Sequence, residues 1–498
     1  MGKQTRREFL TSTSLAAVSA GAFSLLQSCM SVDQPTSVKK QQPNIIFILA
    51  DDLGYGDLGC YGQQKIKTPN LDRMAAEGMH FTQHYAGSTV CAPSRCALMT
   101  GLHTGHAFVR GNYLLDHDLF EGDLPIPLDS VTVAKILKKA GYATGIVGKW
   151  GLGGRGTRGV PNKQGFDYFF GYLDQIRAHS YYPSYLWRNE EKVDLKENRK
   201  GRRGTYSHDL ITKEALQFVE RNKQNPFFLY LAYTIPHAEL AVPEDSLKQY
   251  KGKFPEKPFE GGNYNAQKTP RAAYAGMVSR MDRDIGRLFA KLKELRIDEN
   301  TVVFFSSDNG PHKEGGIGPD FFNSAGPLRG LKRDLYEGGI RIPMLARWPG
   351  KIKPGSASDH VSAFWDFLPT ACELASLKPP GEIDGISYLP TLLGKKQKRH
   401  KFLYWEFSRY NWNWKSGQKR PPRNWLESQA VRLGDWKGIR LNIYENPDGP
   451  IELYNLKNDI GEKNNIAEQY PKTVAKIEKY LKTTRTPSRH FPIRKAWK

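Results

Sequence analysis

Two short groups of hard oxygen donors stand far apart in the chain, Asp51-Asp52 near its start and Asp308-Asn309 beyond its middle. Carboxylates joined by an amide, with no Cys/His set beside them, suit Ca2+ or Mg2+ better than zinc. Each group alone has a plain structural use: Asp-Asp caps a following helix, and Asp-Asn-Gly makes a turn. Brought together, three carboxylates need a cation to offset their repulsion. Lys149, His237 and Lys332 then supply positive or donor groups for an anionic substrate. The combination points to hydrolysis or transfer of a tetrahedral oxyanion group, phosphoryl or sulfuryl. A thiol adds a question. In "STVCAPSRCALMTG", residues 88–101, Cys91 sits where a turn passes into a helix, ahead of Pro93 and Arg95.

Residues scattered this widely need elements that end where they stand. The apolar run 45–50 leads into Asp51-Asp52, 143–147 into Gly148-Lys149, 227–232 into a segment reaching His237, and 301–307 into Asp308-Asn309. Short, continuous, β-branched-rich runs of this kind predict strands buried on both faces, as in a parallel sheet; 342–345 is a fifth. Helical spacing over 130–140 and 273–295 lies between them. The alternation predicts an α/β fold, a mostly parallel sheet flanked by helices, whose carboxyl-end loops converge on one site. From residue 399 the runs are shorter and alternate ("FLYWEF", "QAVRLGDWKGIR", "IELYNL"), and a helix-like stretch covers 470–483. This predicts a smaller C-terminal antiparallel sheet with a helix packed on it. The expected organisation is an export signal at 1–28, a linker at 29–42, a catalytic α/β domain at 43–398 and a C-terminal α+β subdomain at 399–498.

The 73 Lys+Arg against 51 Asp+Glu give a net charge of +22, which favours anionic partners at long range. The basic residues are scattered, and no RRM, zinc-finger or helix-turn-helix pattern appears, so nucleic acid is not the expected partner. At the N-terminus, Lys3, Arg6 and Arg7 precede a Ser/Ala-rich apolar run and then Leu26-Gln27-Ser28-Cys29. That pattern resembles a twin-arginine export signal ending in a lipobox, with Cys29 as the acylated residue. The run is too interrupted by hydroxyl residues to be a permanent span. The expected product is a soluble body outside the cytoplasm, a periplasmic or cell-envelope lipoprotein that meets the membrane only through its lipid anchor. Cys60, Cys91, Cys96 and Cys372 are too few and too irregular for a disulfide framework.

"CAPSR", residues 91–95, resembles the C-x-P-S-R signature of type I sulfatases, the formylglycine-dependent family. "PNIIFILADDLGYGDLGCYG", "TPNLDRMAAEGMHFTQHYA", "LMTGLHTGH", "GYATGIVGKWGLG", "SSDNGP" and "LRGLKRDLYEGGIRIP" stand here in that family's order. The likeness runs from about Pro43 to the C-terminal "ELYNLKNDIGEKNNIAE". It implies an alkaline-phosphatase-like α/β fold, one Ca2+ ion and sulfuric ester hydrolysis. It also implies roles: Asp51, Asp52, Asp308, Asn309 and the modified Cys91 as metal ligands, Arg95 holding the formylglycine hydrate, and Lys149, His237 and Lys332 binding sulfate and assisting the leaving oxygen. In that family a maturation enzyme oxidises the cysteine of the signature to formylglycine while the chain is unfolded. One hydroxyl of the hydrate, activated by the metal and Asp308, would attack sulfur and form a covalent sulfate ester. The other would lose its proton and collapse to the aldehyde, expelling sulfate. Pro93 would fix φ near the helix start, whose N-terminus favours an anion.

One position departs from the pattern. Many members carry K-W-H-L-G, whereas this chain has Lys149-Trp150-Gly151-Leu152-Gly153, and His106 and His179 are the candidates to replace the missing histidine. Two aromatic and basic stretches, "RAHSYYPSYLW" at 177–187 and "SRYNWNWKSGQKRPPRNW" at 408–425, suit sugar stacking through residues such as Trp412 and Trp414, with Arg and Lys on sulfate or uronate. Packing between domains would use the same aromatics. The expected substrate is a sulfated polysaccharide or oligosaccharide, an algal polymer such as ulvan or a sulfated galactan, or a glycosaminoglycan. The rival readings are a small aryl or alkyl sulfatase, a phosphate or phosphonate ester hydrolase on the same fold, and an inactive polysaccharide-binding lipoprotein. The complete set of candidate site residues argues against the last.

Overall fold

The run predicted at 45–50 forms the strand Asn44–Ala50, all of it buried, near the middle of a ten-stranded sheet. The structure, a computed structural model, describes residues 42–113, 122–410 and 424–493. The expected signal peptide, the linker up to residue 41, Cys29, Trp412 and Trp414 lie outside them. Among the described residues no helix is long and apolar enough to cross a membrane.

In spatial order the sheet runs Ser356–Ser358, Met79–Phe81, Met344–Arg347, Thr301–Ser307, Asn44–Ala50, Phe227–Ala232, Ala143–Lys149, Tyr168–Tyr172, Tyr185–Arg188, Glu191–Asp194. The five strands from Thr301–Ser307 to Tyr168–Tyr172 pair in parallel. Met344–Arg347 is the exception among the predicted runs, pairing antiparallel on both sides. Alternation along the central strand divides the core. Ile45, Phe47 and Leu49 pack with the helices Cys91–Thr100, Val133–Lys139 and Phe367–Leu374. Ile46 and Ile48 pack with Pro69–Ala76, Ser207–Asn222 and Pro270–Glu294 on the other face. A strand covered on both faces reads as continuously apolar, which is why these runs were legible in the sequence.

The C-terminal sheet has four antiparallel strands in chain order, Leu403–Tyr410, Asn424–Leu433, Trp436–Arg440 and Ile451–Asn455. Ile477 and Leu481 of the helix Pro471–Thr483 pack on Tyr404, Val431, Ile451 and Leu453. The seam to the large sheet is polar as well as apolar. Trp405 Nε1 donates to the carbonyl of Ala86 at 2.9 Å. The buried Lys437 Nζ lies 2.9 Å from both Glu337 Oε1 and Glu462 Oε1. Removing the shared cation leaves two buried carboxylates facing each other, so Lys437→Met is expected to cost about 3–5 kcal/mol, read as a lower urea midpoint.

The same trio gives stability a pH dependence. Glu337 is buried, but Lys437 and Arg341 hold its carboxyl down at about 2. Burial pushes Glu462 up to about 7, against Lys437 and with the help of Glu337. A carboxyl raised on folding stabilises fully below its unfolded value of 4.5 and loses that contribution as pH rises through 7. Glu462→Gln should therefore flatten the decline of the urea midpoint across that interval.

Candidate active site

Strand register assembles the site. Ala50 lies opposite Ser307, while Leu49 and Gly148 both lie opposite Ala232. Asp51, Asp308 and Lys149 therefore leave the sheet together at its carboxyl edge. Gly148, at φ 122°, allows this approach: a Cβ there would stand 1.8 Å from the carbonyl oxygen of Ala232. Asp52 adopts a left-handed φ of 64°, which Asp tolerates better than most residues. Its N–H donates to Asp308 Oδ1 at 3.1 Å and ties the two strand ends.

The helix Cys91–Thr100 delivers the thiol, and all ten of its residues are buried. It starts without a side-chain cap on Val90. Pro93 has no N–H to satisfy, and the N–H of Ala92 donates to Asn112 Oδ1 at 3.1 Å. Cys91 and Arg95, four residues apart, share one helix face. Cys91 Sγ lies 3.3 Å from Asp51 Oδ1 and 3.9 Å from Asp52 Oδ1. Arg95 Nε and Nη2 donate to Asp308 Oδ2 at 3.0 and 2.8 Å, and Nη1 donates to the carbonyl of Lys149 at 2.8 Å. Lys149 Nζ donates to Asp51 Oδ2 at 2.7 Å. Lys332 Nζ lies 2.6 Å from Asp52 Oδ2 and 3.0 Å from His237 Nε2. His237 Nδ1 contacts the carbonyl of Ala238 and donates to it, leaving Nε2 to accept from Lys332. Nine expected residues thus meet in one place: Asp51, Asp52, Cys91, Arg95, Lys149, His237, Asp308, Asn309 and Lys332.

The charges are arranged for an anion. Burial opposes ionisation of Asp51, but Lys149 and Arg95 hold its carboxyl well below the ordinary range. Burial and the charge of Lys332 keep His237 neutral, and burial with neighbouring His237 does the same for His179. Burial, Asp308 and Asp51 together push the Cys91 thiol well above its usual value. An unmodified cysteine here is a protonated thiol, poor both as nucleophile and as ligand.

The residues fit a hard dication. Asp51 and Asp52 offer carboxylate oxygens in a cluster with Cys91 and His237 whose donor atoms all lie within 4.8 Å of one another, and an oxygen in place of the thiol would make residue 91 a hard donor as well. Asn309 Nδ2 donates to Asp52 Oδ1 at 2.7 Å and to the carbonyl of Gly310 at 2.9 Å, while its Oδ1 is buried with no hydrogen-bond partner among the described residues. Arg95, Lys149 and Lys332 already match Asp51, Asp52 and Asp308 in charge. A dication among them leaves a positive surplus for an anionic substrate.

The two histidine candidates separate. His179 stacks on His237, with ring centroids 4.5 Å apart and planes at 8°, and so reaches the site. His106 does not. Its Nδ1 lies 2.9 Å from Asp384 Oδ1 and its ring stacks on His103. It lines a cavity of about 670 Å³ together with Thr100, at the other end of the helix from Cys91. The reason is local: Asp384 also accepts from the N–H of His103, which fixes the His103–His106 turn to the carboxylate. The space above Gly151 is filled by Gln175, a residue that no motif or apolar run singles out. Tyr264 and His312, also unselected, stack around His237 at 6.1 and 5.7 Å. His312 was within reach of a sequence reading, because it follows Asp308-Asn309-Gly310-Pro311 directly.

Comparison with known proteins agrees with this geometry. Residues 43–377 match the Sulfatase family model, and residues 331–487 match the model of the N-sulphoglucosamine sulphohydrolase C-terminal region. An N-acetylgalactosamine-6-O-sulfatase of Bacteroides thetaiotaomicron is 31% identical, the match covering 93% of this chain and 97% of that protein. The human N-acetylgalactosamine-6-sulfatase is 36% identical over 73% of this chain and 68% of its own length. The solved structure of Ps i-CgsB in complex with k-i-k-neocarrahexaose superposes with a TM-score of 0.73 at 28% identity, covering 89% of this chain and 93% of that one. The chain belongs to the sulfatase family and is a sulfuric ester hydrolase.

Proposed function

We propose that this protein removes sulfate from a sulfated oligosaccharide or polysaccharide, using a formylglycine made from Cys91. The observation that carries this reading is the position of Cys91 Sγ, 3.3 Å from Asp51 Oδ1 on a buried helix start faced by Arg95, Lys149 and Lys332. A thiol gains nothing from that company, whereas an oxygen nucleophile gains orientation and charge stabilisation. The hydrate of the aldehyde carries two hydroxyls. One gives its proton to Asp308 and attacks sulfur as the S–O bond to the sugar breaks, while Lys332, beside His237, hands a proton to the leaving oxygen. The second hydroxyl then gives its proton to the Lys332–His237 pair left deprotonated by that transfer, and the carbon–oxygen bond to the sulfate ester breaks, restoring the aldehyde and freeing sulfate; water re-forms the hydrate. Asp51, Asp52, Asp308, Asn309 and residue 91 would hold Ca2+, which when bound supplies positive charge to the nucleophile and the sulfuryl oxygens.

Saccharide substrates are favoured by the relatives' names, an N-acetylgalactosamine-6-O-sulfatase and a protein solved with neocarrahexaose. The aromatic and basic loop 177–187 brings His179 to the site and points the same way. Residues 1–28 are read as an export signal followed by an acylated Cys29, which would tether the enzyme in the cell envelope and leave polymeric substrates accessible. The test is sulfate release from a panel of defined sulfated oligosaccharides, with an aryl sulfate and matched phosphate esters alongside, using protein co-produced with the maturation enzyme. Sulfated sugars are expected to turn over fastest. A strong preference for phosphate would reject the reading, and one for the aryl ester would reject the saccharide part.

A further inference from the structure

Gln175 lies just beyond the strand Tyr168–Tyr172, beside the end of the strand that carries Lys149. Its backbone is fixed, since its N–H donates to Asp123 Oδ2 at 2.9 Å. The chain before it is stitched to the neighbouring strand end, where the N–H groups of Trp150 and Gly151 donate to the carbonyls of Tyr172 and Leu173 at 2.9 and 3.0 Å. The side chain then lies over Gly151. A Cβ at that glycine, whose φ is 78°, would stand 1.9 Å from Gln175 Nε2. Any larger residue at 151 and the present course of Gln175 therefore exclude each other.

The carboxamide itself is the anomaly. Gln175 is 3% exposed, yet among the described residues neither Nε2 nor Oε1 has a hydrogen-bond partner. Leaving such a group buried and unpaired costs about 1–3 kcal/mol. Its surroundings show what would offset that. Lys149, two residues before Gly151, reaches Asp51 through Nζ and holds Arg95 through its carbonyl. On the other side, Asp123 adjoins Leu124, whose N–H donates to the carbonyl of Tyr113; the preceding residue, Asn112, accepts from Ala92 at the start of the Cys91 helix. Gln175 thus lies against Gly151, two residues past Lys149, and Asp123, which holds its backbone, is linked through Leu124–Tyr113 and Asn112–Ala92 to the start of the helix that presents residue 91.

We propose that Gln175 is a positioning residue whose Nε2 donates a hydrogen bond to a hydrate oxygen of the converted residue 91, and that residue 151 is glycine to leave room for it. The inference rests on the reading of Cys91 as a formylglycine precursor. It also bears on the absent histidine of the K-W-H pattern: a side chain at 151 would displace this carboxamide from its present place.

The test uses full-length protein co-produced with the maturation enzyme, with two readouts besides activity: the thermal midpoint, and the rate at which an aminooxy probe labels residue 91 in the native state. Gln175→Met keeps the side chain's length but not its donor. It is expected to hold or raise the midpoint, to lower kcat about 100-fold with little change in KM, as for loss of one preorganised donor, and to speed aminooxy labelling by freeing the aldehyde from its hydrate. Gly151→His alone should inactivate the enzyme, and Gly151→His with Gln175→Ala should regain part of the lost kcat. Wild-type kcat and labelling in Gln175→Met would overturn the proposal. So would a lowered midpoint with kcat unchanged, which marks a packing role. No label on the wild-type protein would instead sink the formylglycine reading, and this inference with it.

Discussion

Cys91→Ala is expected to abolish sulfate release and leave the fold intact. The variant removes one atom, a sulfur that lies 3.3 and 3.9 Å from carboxylate oxygens of Asp51 and Asp52. The midpoint of unfolding should hardly move. The loss of kcat should reach at least about 10⁴-fold, the scale on which removing a nucleophile that works with its neighbours is felt. Cys91→Ser separates the two halves of the chemistry. A serine hydroxyl can attack sulfur, but the resulting ester has no second hydroxyl to expel sulfate. This variant should therefore stop after one turnover, with a stable sulfuryl mass on the peptide carrying residue 91. Repeated turnover by either variant would overturn the mechanism.

The sequence revealed those parts of the site that lie directly after strands with uninterrupted apolar runs. Asn44–Ala50, Phe227–Ala232 and Thr301–Ser307 are buried along their whole length, so their composition alone marked their ends and the residues beyond them. The strand Tyr168–Tyr172 escaped notice for a physical reason. Its fourth residue is Gly171, opposite Gly148, at a point where two strand ends crowd together, and that glycine cuts the apolar run short. With the strand went the residue just past its end, Gln175. His106 failed differently. Its spacing beside His103 was visible, but the carboxylate that claims it, Asp384, lies 278 residues away in the chain. Lys332 shows the opposite outcome. No strand leads into it, yet it is among the basic groups expected to meet the anionic substrate, and its Nζ lies 2.6 Å from Asp52. Periodicity finds elements and their ends. Long-range pairings such as His106–Asp384 come only from the folded chain.

Calcium is expected to stabilise the converted enzyme by about 2.7 kcal/mol when its free concentration is about a hundredfold above its dissociation constant, with a matching fall in EDTA. Asp308 takes both Arg95 Nε and Nη2 on Oδ2, Asp51 takes Lys149 on Oδ2, and Asp52 takes Lys332 on Oδ2, so that each basic side chain engages one oxygen and, among the described residues, the Oδ1 atoms meet only the Asp52 N–H, the Cys91 thiol and the Asn309 amide. The unpartnered Asn309 Oδ1 adds a neutral donor to the same space. Oxygen donors drawn from several chain segments suit the variable geometry of Ca2+ better than Mg2+, which demands short bonds in a strict octahedron. Mg2+ should therefore give a smaller shift at equal concentration. Asp51→Asn and Asp308→Asn should lose most of the calcium shift. Cys91→Ala should keep part of it, because Asp51, Asp52, Asp308 and Asn309 all remain. That contrast separates the two tasks assigned to residue 91: turnover depends on it entirely, and metal binding only in part. An unfolding midpoint that is the same in calcium and in EDTA would remove the ion from the site and leave the three carboxylates balanced by Arg95, Lys149 and Lys332 alone.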